Sequence, residues 1–276
     1  MGIAESLDHF VVPVDDLVVA EEFYARVFGG IITKRNGLNV RQRKRGAVPH
    51  TFVQIGGKRM GVYLQSDHRP EPSGPRGLPT YSFTTTAQGL AAIVEDLNQL
   101  SVHFDGPVTD GNSFAAQSLF FTDPAGNHYA AYTPGDSAAR SNAGSGRMTG
   151  VGYIELEAPS VEASLAFYQK VLGFEVQSQR ANPGQATLKM ASGQTLILTE
   201  APFASKGLVM SRKVAGPHIA FYVPGTQWSA ALAHLNKLGI ENGDRGAAKE
   251  RTGEQGGTYM DDPAGYVIQF ITDGME

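Results

Sequence analysis

The side chains able to do chemistry fall into a few groups along the 276 residues. Lys34, Arg35, Arg41, Arg43, Lys44 and Arg45 crowd one short stretch. They read either as the solvated flank of a hairpin or as a basic lip drawing in an anionic small molecule. Tyr153, Glu155 and Glu157 alternate along an extended run, so a phenol and two carboxylates share one strand face. His128, Ala130 and Tyr132 alternate in the same way. His9 follows Asp8 in an apolar run, and His218 opens a run after Gly216-Pro217. A lone strand histidine fits a hydrogen-bonded pocket residue as well as a ligand.

Whole chemistries are absent. The chain has no cysteine, which removes disulfides, thiolate metal sites and cysteine nucleophiles together. It carries no GxxxxGK[ST] phosphate loop, no HExxH and no GxSxG elbow. A formal net charge of −4 gives no global attraction to nucleic acid or to an anionic membrane. No apolar run approaches the roughly 20 residues of a membrane helix. The N-terminus lacks the basic and apolar regions of a secretory signal, so the expected compartment is cytoplasmic.

The elements that must position these residues occur twice. FYARVFG at Phe23–Gly29 returns as FYQKVLG at Phe167–Gly173, and DPAG at Asp123 returns at Asp262. Two phrases repeated in one order at nearly one long spacing mean duplicated domains rather than a solenoid. Residues 136–147 (DSAARSNAGSGR) lack an apolar period and read as a linker, dividing the chain into domains at 1–135 and 148–276.

Within the first half, 7–14 reads as a strand and 15–28 as a helix, capped by Asp15 or Asp16 and ended by Gly29-Gly30. A strand closes this part near Met60–Gln65. A second strand and helix follow at Thr80 and Ala87–Leu97, with strands ending at His128–Tyr132. The second half repeats the order, with strands at Gly152–Leu156, Thr195–Thr199, His218–Val223 and Tyr266–Ile271. Its helices are expected at Val161–Leu172 and Gln227–Leu238. The chain is thus four units of strand, helix and short strands.

A strand, then FYxxVLG, then short strands closing on a DPxG turn resembles the vicinal oxygen chelate superfamily. That group holds glyoxalase I, extradiol ring-cleaving dioxygenases, fosfomycin-resistance proteins and bleomycin-binding proteins. The resemblance covers nearly the whole chain. It implies an α+β fold of four βαβββ modules in which pairs of modules close into cups of about eight strands.

The resemblance also implies where a metal would be held. The family's first-strand ligand lies 14 residues before the Phe of FYxxVLG, at His9 in module one and Tyr153 in module three. The matching positions in modules two and four are Thr80 and His218. The late-strand ligand, usually Glu, falls at Ala130 in module two and Gln269 in module four, and near Tyr63 and Ile197 in the other two. Pairing modules one with two, or three with four, yields a poor ligand set. Pairing one with four yields His9, His218 and Gln269, with Tyr63 nearby. That set approaches the two-histidine, one-carboxylate triad of non-heme iron, with a neutral amide where the carboxylate belongs.

Three readings follow. One is a glyoxalase- or dioxygenase-like enzyme acting on a small oxygenated aromatic or carbonyl compound, with iron(II), zinc or manganese at His9, His218 and Gln269. Another is a metal-free small-molecule binder of the bleomycin-resistance kind. The third is a metal-free enzyme in which Glu155 is the base and Tyr153 the proton donor. Tyr63, Thr80, His128 and Gln269 are expected to line the substrate pocket. The expected partner is a small molecule, with neither nucleic acid nor membrane, in a monomer or homodimer.

Overall fold

Apolar alternation and well-capped amphipathic helices set the elements. A computed structural model describes residues 3–44, 47–65, 74–109, 115–135, 147–201, 217–243 and 257–273. The expected linker, apart from Arg147, lies outside the described residues, as does Arg45.

Strand β1 (Ser6–Val14) leads into helix α1 (Leu17–Val27). The carboxylate of Asp16 accepts from the Val18 and Val19 backbone N–H groups, which would otherwise lack partners in the first turn. Ala20, Phe23, Tyr24 and Val27 form the buried stripe. Gly29, at φ 66°, ends the helix in the left-handed conformation that glycine adopts without strain. Strand β2 (Ile31–Asn36), the short helix α2 (Val40–Lys44), β3 (His50–Ile55) and β4 (Lys58–Leu64) complete the first module. The second is β5 (Thr80–Thr85), α3 (Ala87–Gln99), β6 (Phe104–Val108), β7 (Ala115–Thr122) and β8 (His128–Pro134).

The third module repeats the first: β9 (Met148–Ala158), α4 (Val161–Phe167), β10 (Glu175–Ala181), β11 (Gly184–Lys189) and β12 (Thr195–Glu200). Ser160 caps α4 by accepting from the Ala163 N–H. The helix expected to Leu172 changes winding at Tyr168, and Tyr168–Leu172 forms a π turn that Gly173 closes at φ 81°. The fourth module holds β13 (His218–Tyr222), α5 (Trp228–Lys237), β14 (Gly257–Asp261) and β15 (Val267–Ile271). No helix among the described residues is long and apolar enough to cross a membrane.

The chain divides into two compact units, and the division falls inside β1 and inside β9. One unit comprises Met1–Val11, Arg41–Val48 and Glu155–Glu276. It is called the imidazole unit below, because it holds both His9 and His218. Its strands run in the orders β14-β15-β13-β1 and β10-β11-β12-β9. Its core includes Phe174, which packs against Phe221 and Tyr168 at ring separations of 5.3 and 6.0 Å.

The other unit comprises Val12–Val40 and Pro49–Ile154. Its strands run β1-β4-β3-β2 and β9-β5-β8-β7-β6. Phe28 anchors its core, touching Phe83, Phe121 and Tyr129 at ring separations of 5.2, 5.7 and 5.0 Å.

The two repeated phrases meet in each unit. Tyr24 of FYARVFG donates to Asp123 of the DPAG turn, at 2.5 Å, and Tyr168 of FYQKVLG donates to Asp262, at 2.9 Å. Both bonds are buried, so a phenol on a helix and a carboxylate in a distant turn must be kept together. Burial, and then the neighbouring Asp123 carboxylate, push the Tyr24 phenol well above its ordinary range.

Candidate metal centre

The imidazole unit assembles one row of side chains across four strands. On β1 and β13, His9 is the register partner of Ala220. On β13 and β15, Ala220 is the partner of Gln269. On β15 and β14, Gln269 is the partner of Tyr259. Partnered side chains project to one face of a sheet. His218 lies two residues before Ala220 on the same strand and so projects to that face as well. His9, His218, Gln269 and Tyr259 therefore share one face, with the small Ala220 among them.

The ring nitrogens converge. Nε2 of His9 and Nε2 of His218 lie 3.2 Å apart, and the two rings meet edge to face at a centroid separation of 5.3 Å. The Tyr259 ring lies perpendicular to His218 at 5.4 Å. Both histidines are 7% exposed and Gln269 is 2% exposed. Gln269 Oε1 is buried and accepts no hydrogen bond among the described residues. A buried amide oxygen without a donor forfeits its hydration, a cost of about 1–3 kcal/mol unless something occupies its lone pairs.

The tautomers follow from the partners. Asp8 Oδ1 lies 2.6 Å from His9 Nδ1, so Nδ1–H donates to the carboxylate. Neutral His9 then carries its lone pair on Nε2, which accepts from the Nε2–H of His218; with the His218 proton on Nδ1 instead, both Nε2 atoms would present lone pairs. Two imidazole nitrogens and an unpartnered amide oxygen on one face fit a borderline dication such as zinc, iron(II) or manganese(II). Among the described residues, no group of three or more His, Asp or Glu side chains is placed to hold a metal, so a third donor beside the two imidazoles would be the amide.

The remaining expected site residues lie elsewhere. In the second unit, Ser82 and Ala130 are register partners, matching Ala220 and Gln269. Ser82 Oγ donates to the Tyr153 carbonyl and accepts from the Tyr153 N–H. Thr80 lies two residues before Ser82 and pairs with His128. This unit repeats the scaffold, with Tyr153, Thr80 and Ala130 where the imidazole unit has His9, His218 and Gln269. Its ring of Tyr153 is fully buried and packs on Tyr132 at 5.8 Å. Burial pushes the Tyr132 phenol up to about 12. Gly77 leaves room for His128, since a Cβ there would lie 2.3 Å from its Nε2.

Tyr63 stacks on His50, with ring centroids 4.3 Å apart and planes 2° from parallel. Glu155, in the imidazole unit, is half-buried and accepts from Thr199 Oγ1 at 2.6 Å and from Gln185 Nε2 at 3.5 Å. In the basic run, Arg35 grips Glu21 with both its Nε and Nη2. Arg41, Arg43 and Lys44 belong to α2.

Sequence reasoning missed Tyr259 and gave Asp8 no role. Strand alternation around the DPAG turn could have flagged Tyr259. Nothing local to Asp8 announces the irregularity in β1 that brings it to His9.

The site therefore stands on a duplicated α+β scaffold, with histidines on β1 and β13 and Tyr153 and Thr80 at the matching positions of β9 and β5. Residues 6–129 and 150–270 both match the Glyoxalase/Bleomycin resistance protein/Dioxygenase superfamily, and the chain belongs to that family as two glyoxalase-like domains. Among solved structures it is similar to a putative dioxygenase from Bacillus subtilis subsp. subtilis str. 168, with 15% identity and a TM-score of 0.73, covering 99% of this chain and 87% of that one. It is also similar to glyoxalase I from Zea mays, with 16% identity and a TM-score of 0.64, covering 98% of this chain and 92% of that one. At such identities the likeness concerns the fold. No curated protein matches the chain.

Proposed function

We propose that the imidazole unit holds a divalent metal through His9, His218 and Gln269, and that the protein is an enzyme acting on a small oxygenated aromatic or carbonyl compound. The observation that carries this reading is the approach of the two Nε2 atoms to 3.2 Å from residues 209 apart in the chain. The buried, unpartnered Oε1 of Gln269 on the same face supports it.

When bound, a dication would act as a Lewis acid toward vicinal substrate oxygens. The chain's own residues do the rest. Asp8 orients His9. The burial of the two imidazoles, each 7% exposed, lowers the local dielectric and strengthens charge interactions at the site. Tyr259 walls the face beside His218. The neutral amide makes the ligand set weaker for iron(II) than a carboxylate would, which favours zinc and lyase- or isomerase-type chemistry over oxygen activation.

Elemental analysis of protein purified without chelator tests this reading. About one equivalent of metal per chain, lost in His218→Ala, is expected. Less than about a tenth of an equivalent, unchanged on adding zinc, manganese(II) or iron(II), would leave the metal-free binder or the acid–base enzyme. Glu155→Gln then separates those two, since full activity in that variant removes Glu155 as a base. Optical assays with catechols, hydroquinones and 2-oxoaldehydes as probes narrow the substrate class.

A further inference from the structure

The residue before His9 is placed by an irregularity that a regular strand would not contain. Leu7 pairs with Phe221 and His9 with Ala220, so two steps along β1 oppose one step along β13. Asp8 is the inserted residue of a β-bulge. In a regular strand the Asp8 and His9 side chains would point to opposite faces and could not touch. Here Asp8 Oδ1 lies 2.6 Å from His9 Nδ1. The bulge turns a carboxylate onto the far nitrogen of the imidazole whose near nitrogen faces His218.

We propose that Asp8 is a positioning residue: it holds His9 in the tautomer with a bare Nε2, and it supplies beside the ligand set the negative charge that Gln269 does not. This rests on the reading of His9, His218 and Gln269 as ligands. Two imidazoles and an amide carry no charge, so a dication among them keeps its full charge. A carboxylate hydrogen-bonded to the remote nitrogen of a ligating imidazole fixes the ring and raises its basicity. Asp8 makes that contact, and its side chain is 28% exposed, so its desolvation cost is modest. The other half of the chain agrees. The positions matching Asp8 and His9 are Gly152 and Tyr153, so the carboxylate is missing where the imidazole is missing.

The test uses the full chain and two independent readouts. In the metal-free protein, nitrogen NMR of the histidine side chains should show His9 protonated at Nδ1. Asp8→Ala should lose that single tautomer. Calorimetric titration with zinc should show affinity falling about 10- to 100-fold in Asp8→Ala and in the same-shaped Asp8→Asn. If Asp8 stands in for the missing ligand charge, the same substitutions made in a Gln269→Glu background should cost several-fold less than in the wild type.

An unchanged His9 tautomer in Asp8→Ala, with zinc affinity within about twofold of wild type, overturns the proposal. An equal loss in both backgrounds overturns the charge role. If the wild-type protein takes up no zinc, the ligand-set reading falls, and the His9 tautomer still decides whether Asp8 holds the ring. Thermal unfolding of the metal-free variants separates a folding defect from a site defect.

Discussion

His9 and His218 place their Nε2 atoms 3.2 Å apart while standing 209 residues apart in the chain. The approach is made by strand pairing, since β1 lies antiparallel to β13 with Val11 opposite His218 and Ala220 opposite His9. Each ring is nine-tenths buried or more. Burying two polar rings against each other has a purpose if a third partner binds both, and each consequence below follows from that arrangement or from the scaffold around it.

Removing His218 should abolish tight metal binding. Second-sphere substitutions in metal sites cost about 10–100-fold in affinity, so loss of a ligand should cost more than about 100-fold. Calorimetric zinc titration of His218→Ala against wild type checks this. Tyr153→Phe, at the position matching His9 in the other half, should leave zinc affinity unchanged.

Gln269→Glu should act in opposite directions with and without metal. The new carboxylate offsets charge on a dication, and zinc affinity should rise about tenfold or more, which corresponds to about 1.4 kcal/mol. Without metal, the same group is an uncompensated charge at a 2% exposed position. Stability of the metal-free variant should fall by about 3 kcal/mol, or the group should take up a proton instead. Denaturant unfolding with and without zinc measures both effects.

Tyr168→Phe should destabilise the fold without changing zinc affinity. The substitution removes the buried donor to Asp262 Oδ2 and leaves an acceptor short of a partner, at a cost of about 1–3 kcal/mol. Asp262 Oδ1 keeps its bonds from the Ala264 and Tyr266 N–H groups, so the turn itself should persist. Zinc affinity of the folded variant should match wild type.

Asp262 should make stability fall with rising pH. Burial raises its carboxyl from the usual 3.8 to about 6, against the opposing bonds from Tyr266, Tyr168, Ala264 and Gly265. Its folded-state value lies above the unfolded one, so the native state binds the proton more tightly. The resulting stabilisation is complete below about pH 4 and is lost as pH rises through about 6. The full difference is about 3 kcal/mol. Asp262→Asn should flatten that part of the stability profile, as read by urea unfolding between pH 4 and 7.

Most elements were legible because their determinants are local. The stripe Ala20, Phe23, Tyr24 and Val27, the Asp16 cap and Gly29 write α1 into fewer than twenty residues, and the observed helix departs from the expected one only at its ends. The duplicated phrases survive because each unit must satisfy a buried Tyr–Asp bond, Tyr24 with Asp123 and Tyr168 with Asp262. Periodicity could not show that the last turn of α4 is π-wound, since the same apolar residues fit either winding.

What the sequence determined by itself was the repeated scaffold and which positions carry imidazole, amide, phenol or methyl. Three module pairings were compatible with those residues. Only the tertiary structure decided that β1 meets β13, because strand pairing is non-local and its register depends on the faces that the whole sheet must bury. The same register put Gln269 and Tyr259 in line with His9, and a one-residue bulge brought Asp8 to its ring. A bulge is an agreement between two strands, and the sequence of one strand alone does not contain it.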